Sequence, residues 1–210
     1  MTVLAIDTAS SAFALAVQGE GGRAVVVTGS DWPGRPGGLL QAIDQILAGR
    51  PPLSALVVVT GPGSYAGIRT GIATAEALAL AHAIPAVGVG TLEALAEAAG
   101  PGEHVLLHPA GRGEWWQQGA SDSALRGVPS LVDPAGLAGS AVVGEGTARF
   151  GGRELGPGDR VAGALRAGLR RLAAGEAGPL RPDYGRAPHI TRSTRLVPRG
   201  GVKEEHSNVT

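Results

Sequence analysis

The chain has no cysteine and a single lysine, Lys203. Without cysteine there can be no disulfide, thiolate zinc site or cysteine nucleophile, and the absence suits a reducing cytoplasm, the expected location. Because Lys203 is the only lysine, neither a Walker A lysine nor a Schiff-base lysine can stand elsewhere in the chain. Net charge is missing too, with 18 Lys and Arg against 18 Asp and Glu. No global field therefore draws the chain to nucleic acid or an anionic membrane, and any RNA contact needs a local patch or a partner. No apolar run reaches the roughly 18 residues of a spanning helix, and the opening MTVLAIDTASS lacks a basic leader, so no membrane association is expected.

What the chain does have is glycine, 35 residues of it, together with 15 prolines and 43% hydrophobic residues. The glycines follow no period and alternate with apolar runs such as LVVV and HVLL, which predicts a folded, loop-rich globule. TVLAID, FALAVQ and RAVVV, separated by turn residues, predict a three-stranded antiparallel meander. After a loop at SDWPGRPGG, LLQAIDQIL spaces Leu39, Leu40, Ile43, Ile46 and Leu47 as one apolar helical stripe. ALVVVT at 55–60 reads as a strand buried on both faces. A long Ala-rich helix follows, capped by Ser64 and stopped at Ile84-Pro85. PAVGVG and TLEALAEAAG repeat the strand-helix plan, with Thr91 as cap and Gly100 as stop. Further on, HVLLHPA and EWWQQGA pair across the GRG turn, AVVGEG is a strand, and VAGALRAGLRRLAAG is an amphipathic helix. The expected division is a lobe at 1–100, a smaller lobe at 101–195 and a flexible tail at 196–210.

The stretch GPGSYAGIRTGIATAEALALAHAIP carries the most information. Gly61, Gly63, Gly67 and Gly71 lie at a strand end and along the first turns of a helix, a setting that can cradle phosphate. The spacing misses G-x-G-x-x-G by one position, and no lysine is at hand. Read at helical spacing instead, Gly67, Gly71, Ala75 and Ala79 form a smooth strip for close packing, either on the chain's own sheet or on a partner. Asp7 and Thr8 end the first strand. Actin-like and sugar-kinase folds place a metal-linked carboxylate at such a point, although a turn-forming Asp is the commoner reason for one. His104 and His108 are four apart, but on a strand and without the carboxylate of H-E-x-x-H, so no metal site is expected. No G-x-S-x-G elbow appears, and Ser64 is better used as a cap. Trp115 and Trp116 must point to opposite faces of a strand, one to the core and the other to an edge or an interface.

The order of these pieces resembles the bacterial TsaB family, a catalytically degenerate branch of the actin-like ATPase superfamily related to the so-called glycoproteases. The resemblance starts at LAIDTASSAFALAV, is strongest from VVVTGPGSYAGIRTG to VGTLEALA, and returns in GRGEWWQQ and PDYGRAPHIT. It implies an α/β, actin-like (RNase H-like) fold with a reduced second lobe, and no catalytic residues, metal or cofactor of its own. The implied role is to bind and activate the catalytic relative TsaD, alongside a TsaE-like ATPase, in forming threonylcarbamoyladenosine next to the tRNA anticodon. Self-association as a homodimer is the alternative, and tRNA is then met only indirectly. Carried onto this sequence, the implied contact surface is Leu40, Ile43, Tyr65, Ile68, Arg69, Ile72 and Glu76, beside the close-packing Gly67, Gly71 and Ala75. Asp7, Thr8, Gly61 and Gly63 stand as a nucleotide-site remnant. The rival expectation is a peptidase or weak nucleotide hydrolase acting through Asp7 and the glycine turn.

Overall fold

The computed structural model describes residues 1–29, 38–133 and 142–186. The loop expected at 30–38 (all but Gly38), the end of the PDYGRAPHIT segment and the expected tail at 196–210 lie outside the described residues.

The opening apolar runs form the expected meander, β1 (Thr2–Asp7), β2 (Phe13–Gln18) and β3 (Val25–Gly29). β4 (Leu53–Gly61) and β5 (Ala86–Gly90) join β1 in parallel, giving the order β3-β2-β1-β4-β5. The uninterrupted Leu56–Val59 run is fully buried because helices cover both faces of this sheet. α1 (Gly38–Leu47) and α2 (Tyr65–His82) lie on one side, and α4 (Pro157–Ala173) on the other. Neighbouring β4 residues show the division: Gly71 of α2 sits over Val58 and Gly168 of α4 over Val57.

Local signals set the helix ends. Ser64 Oγ accepts the Gly67 N–H, and α2 stops at Ala83, which is left-handed at φ 51° and donates to the Ala79 and Leu80 carbonyls just before Ile84-Pro85. α3 (Thr91–Ala99) corrects one expectation, because Gly90 is its N-cap and Thr91 is the first helical residue. Thr91 Oγ1 is buried with no hydrogen-bond partner among the described residues. A second correction concerns the α1 stripe: Leu39, Ile43 and Ile46 are buried, whereas Leu40 is 58% exposed. Leu40 adjoins Leu39 in the sequence and so points about 100° away from it on the helix.

The second sheet runs β10-β9-β6-β7-β8, from β6 (Glu103–Gly111), β7 (Glu114–Ser121), β8 (Ala124–Val132), β9 (Val142–Gly144) and β10 (Arg153–Glu154). The expected β6-β7 hairpin forms, with Arg112 and Gly113 both at positive φ in the turn. The two tryptophans do face opposite ways, yet both are buried, because this sheet too is covered on both sides. Trp116 packs with Leu92 and Leu95 of α3, while Trp115 meets Phe150 edge-on and carries the Arg149 guanidinium over its ring.

The chain then returns to its start. Although α4 and Leu180 lie within the expected second lobe at 101–195, they pack into the core of the first sheet. Ala5 and Ala16 lie in register with Val57, on the face α4 covers, and their small side chains let the helix approach closely. Among the described residues, α1, α2 and α4 cover the first sheet and α3 the second, so there the second lobe is reduced in helices rather than in strands.

Candidate functional site

A cleft of ≈ 680 Å³ opens between the two sheets. One wall is the β1-β2 turn (Ala9–Ser11) with the start of α2 (Gly63–Gly67); the other is the end of β6 (His108–Gly111) with Trp116 and Glu145. Tyr184 and Arg186 close one side, and Tyr184 lies against the Tyr65 ring at 4.7 Å.

Gly63 and Gly67, which line this cleft, and Gly61 just before them owe their positions to the chain's own backbone. A Cβ on Gly61 would collide with the Asp183 carbonyl, on Gly63 with the Ala9 carbonyl, and on Gly67 with the Thr8 carbonyl. The first turn of the chain and the segment near Asp183 thus fill the space that a phosphate would need at these glycines. Thr8 adds a tie by donating from Oγ1 to the Gly67 carbonyl at 2.7 Å. The close-packing strip at Gly67, Gly71 and Ala75 is buried, and it packs on β1 and β4.

Asp7 is fully buried, and both of its oxygens are engaged. Oδ1 accepts the Ala9 amide at 2.9 Å, which is the turn-forming role, and Oδ2 accepts Nε of Arg160 at 2.7 Å. Arg160, from the first turn of α4, is equally buried. It also donates to Glu145 Oε2 at 2.6 Å and to Ser10 Oγ at 3.1 Å, and lies 3.4 Å from His108 Nδ1. Burial alone would lower the Arg160 pKa; the Asp7 and Glu145 carboxylates outweigh it, so the guanidinium stays charged. Burial, and then the charge of Arg160, push His108 well below its ordinary value of 6.5, so the ring is neutral. Its Nε2 has no hydrogen-bond partner among the described residues.

A metal-linked carboxylate at Asp7, as actin-like folds use it, does not fit this arrangement. A guanidinium already occupies the carboxylate, and among the described residues no three His, Asp or Glu side chains converge as a metal site. Ser64 Oγ serves the Gly67 amide at 3.3 Å and so acts as a helix cap.

Of the expected contact residues, Leu40, Tyr65, Arg69 and Glu76 are exposed. Ile43, Ile68 and Ile72 are buried in the chain's own core, because the face of each helix that carries them is the one lying on the sheet, and they offer no surface to a partner. Arg69 donates to the Tyr65 hydroxyl at 2.8 Å, which raises its pKa. Beside them an apolar groove of ≈ 680 Å³ runs between α1 and α2, lined by Leu40, Arg69, Ala73, Ala77, Leu78 and Ala81 among others.

Sequence reasoning missed Arg160 and Glu145. The readable signal is an arginine four residues before Ala164, on the apolar face of a helix that the sequence pattern starts only at Val161, four residues after its observed start at Pro157.

Comparison with known proteins adds three findings. A family model described as TsaD, tRNA N6-adenosine threonylcarbamoyltransferase, matches residues 39–122. Two proteins named tRNA threonylcarbamoyladenosine biosynthesis protein TsaB are similar in sequence. The one from Haemophilus influenzae is 33% identical over 105 residues, 47% of this chain and 43% of that protein. The one from Escherichia coli K12 is 45% identical over 47 residues, 22% of this chain and 20% of that protein. The matches therefore span less than half the length of these curated relatives. Among solved structures, YeaZ from Pseudomonas aeruginosa shares the fold with a TM-score of 0.72 at 23% identity, over 87% of this chain and 99% of that one. With its glycine-marked strand and helix at 53–82, the chain is similar over part of its length to TsaB proteins and to the TsaD family model, and it shares the fold of YeaZ.

Proposed function

We propose that this chain is a non-catalytic partner subunit in the formation of N6-threonylcarbamoyladenosine in tRNA, and that it docks a TsaD-like catalytic subunit on the α1-α2 face. The pathway follows from the names of the TsaB relatives. The observation that carries the docking role is the groove between α1 and α2, where Leu40 is 58% exposed beside a run of alanines on the outer face of α2. Small residues there let another helix approach closely, and Tyr65, Arg69 and Glu76 give the rim polar groups that set register. A second copy of this chain could use the same face, with the catalytic subunit then competing for it. A TsaE-like ATPase and tRNA would join through the catalytic partner.

The same geometry weighs against the peptidase and nucleotide-hydrolase readings. Either needs an activated nucleophile or a carboxylate free to act, whereas Ser64 caps a helix and Asp7 is held by Arg160.

The test is reconstitution of tRNA modification by a TsaD-like enzyme with and without this chain. We expect modification to fall at least about tenfold without it, the usual scale of a coupling energy between bound partners. Ala77→Arg, on the outer face of α2, should abolish co-purification with the enzyme while leaving the melting temperature nearly unchanged. Equal modification without the chain would refute the partner role, and retained co-purification of Ala77→Arg would refute the α1-α2 face.

A further inference from the structure

We propose that the Arg160 guanidinium is the resident cation of the cleft: it takes up the carboxylates that a divalent ion would need and clasps the two walls together without any ligand. This goes beyond the partner reading and holds whether or not that reading stands.

The clasp reaches from one helix to both sheets. Arg160 belongs to α4, Asp7 ends β1 of the first sheet, Ser10 lies in the turn after it, and His108 and Glu145 belong to the second sheet and the turn following β9. Nε, Nη1 and Nη2 are each directed at a different partner, the donors spread over three nitrogens of a planar fork where a lysine would carry all of its donors on one. A magnesium or manganese ion needs about six oxygen ligands. Both Asp7 oxygens and Glu145 Oε2 are already committed. Any ion at the remaining oxygens would also sit beside a fixed positive charge that does not deprotonate. Arg160 and Asp7 are both anchored on the first sheet, so parting the walls would take Glu145 and His108 away from the guanidinium.

The test uses the purified full chain. Manganese is titrated while water-proton relaxation is followed, and the melting temperature is read with and without millimolar magnesium. The proposal expects no stoichiometric manganese site and no magnesium-dependent shift. One manganese bound per chain, and lost in Asp7→Asn, would overturn it. In the same melting assay Arg160→Met should fall by about 10 °C, because a buried carboxylate is left alone. The neutral pair Asp7→Asn with Arg160→Met should recover much of that loss. If Arg160→Met melts with the wild type, the clasp is refuted. If Arg160→Met does not fold, the neutral pair decides: a folded double variant upholds the clasp, and an unfolded one overturns it.

Discussion

Replacing Gly67 by alanine sets two effects of opposite sign against each other. Alanine is the better helix former by about 1 kcal/mol, and on propensity alone the variant would be the more stable protein. Packing argues the other way. The new Cβ would stand well under 3.0 Å from the Thr8 carbonyl oxygen, which is backbone and cannot rotate aside. The first turn of α2 would have to move roughly an ångström from the β1-β2 turn, stretching the buried Thr8 Oγ1 bond to the Gly67 carbonyl. Overpacking of this kind costs about 1–3 kcal/mol and a strained buried hydrogen bond another ~1–3 kcal/mol, so after the propensity gain a net loss of about 1–5 kcal/mol is expected. Urea unfolding should show a lower midpoint with an unchanged slope. Gly71→Ala is the internal comparison. There the Cβ meets the Thr8 hydroxyl, which can turn away only by giving up its bond to the Gly67 carbonyl, so the loss should be smaller because no backbone has to move. A Gly67→Ala protein as stable as the wild type, or more so, would refute the reasoning that close backbone approach fixes this glycine.

Two further outcomes follow from buried polar groups. His108 is held below its ordinary value in the folded chain, so below about pH 6.5 the unfolded chain binds a proton that the folded one does not. Stability should then fall with acidification by up to about 1.4 kcal/mol per pH unit until the folded ring titrates. His108→Gln, compared with wild type in urea melts at several pH values, should remove that part of the acid slope, and identical slopes would count against a neutral buried ring. Thr91→Val should leave stability unchanged or raise it by about 1 kcal/mol, since the hydroxyl it removes is buried without a partner; a clear loss in the same melts would show that the hydroxyl is satisfied.

Much of the fold was legible because its signals are local. The β1-β2-β3 meander, the Ser64 cap, the Ile84-Pro85 stop and the β6-β7 hairpin all follow from patterns within a few residues. β8 was not legible: Gly127 and Pro129 interrupt its pattern, and it is an exposed edge strand with no alternation of buried and exposed residues to betray it. Edge strands of this kind are specified by their neighbour, here the turn at Asp122 and Ser123, both at positive φ. The candidate site was half legible. Asp7 stood out at its strand end, but its partner Arg160 lies 153 residues away, and no local pattern can announce a contact of that separation. The glycines of 61–71 stand out in the sequence by their spacing, while the close approach of Thr8, Ala9 and Asp183 to them is tertiary.

The return of α4 to the first sheet also bears on how the chain is made. All five strands of that sheet have left the ribosome by Gly90, yet one of its faces waits for Val161, Ala164, Leu165 and Ala167, residues synthesised only after the whole second sheet. Until then the alanines at 5 and 16 and the valine at 57 face water or a chaperone rather than a helix. α4 acts as the closing stitch, and a nascent chain that ends before it carries an open seam along its oldest part.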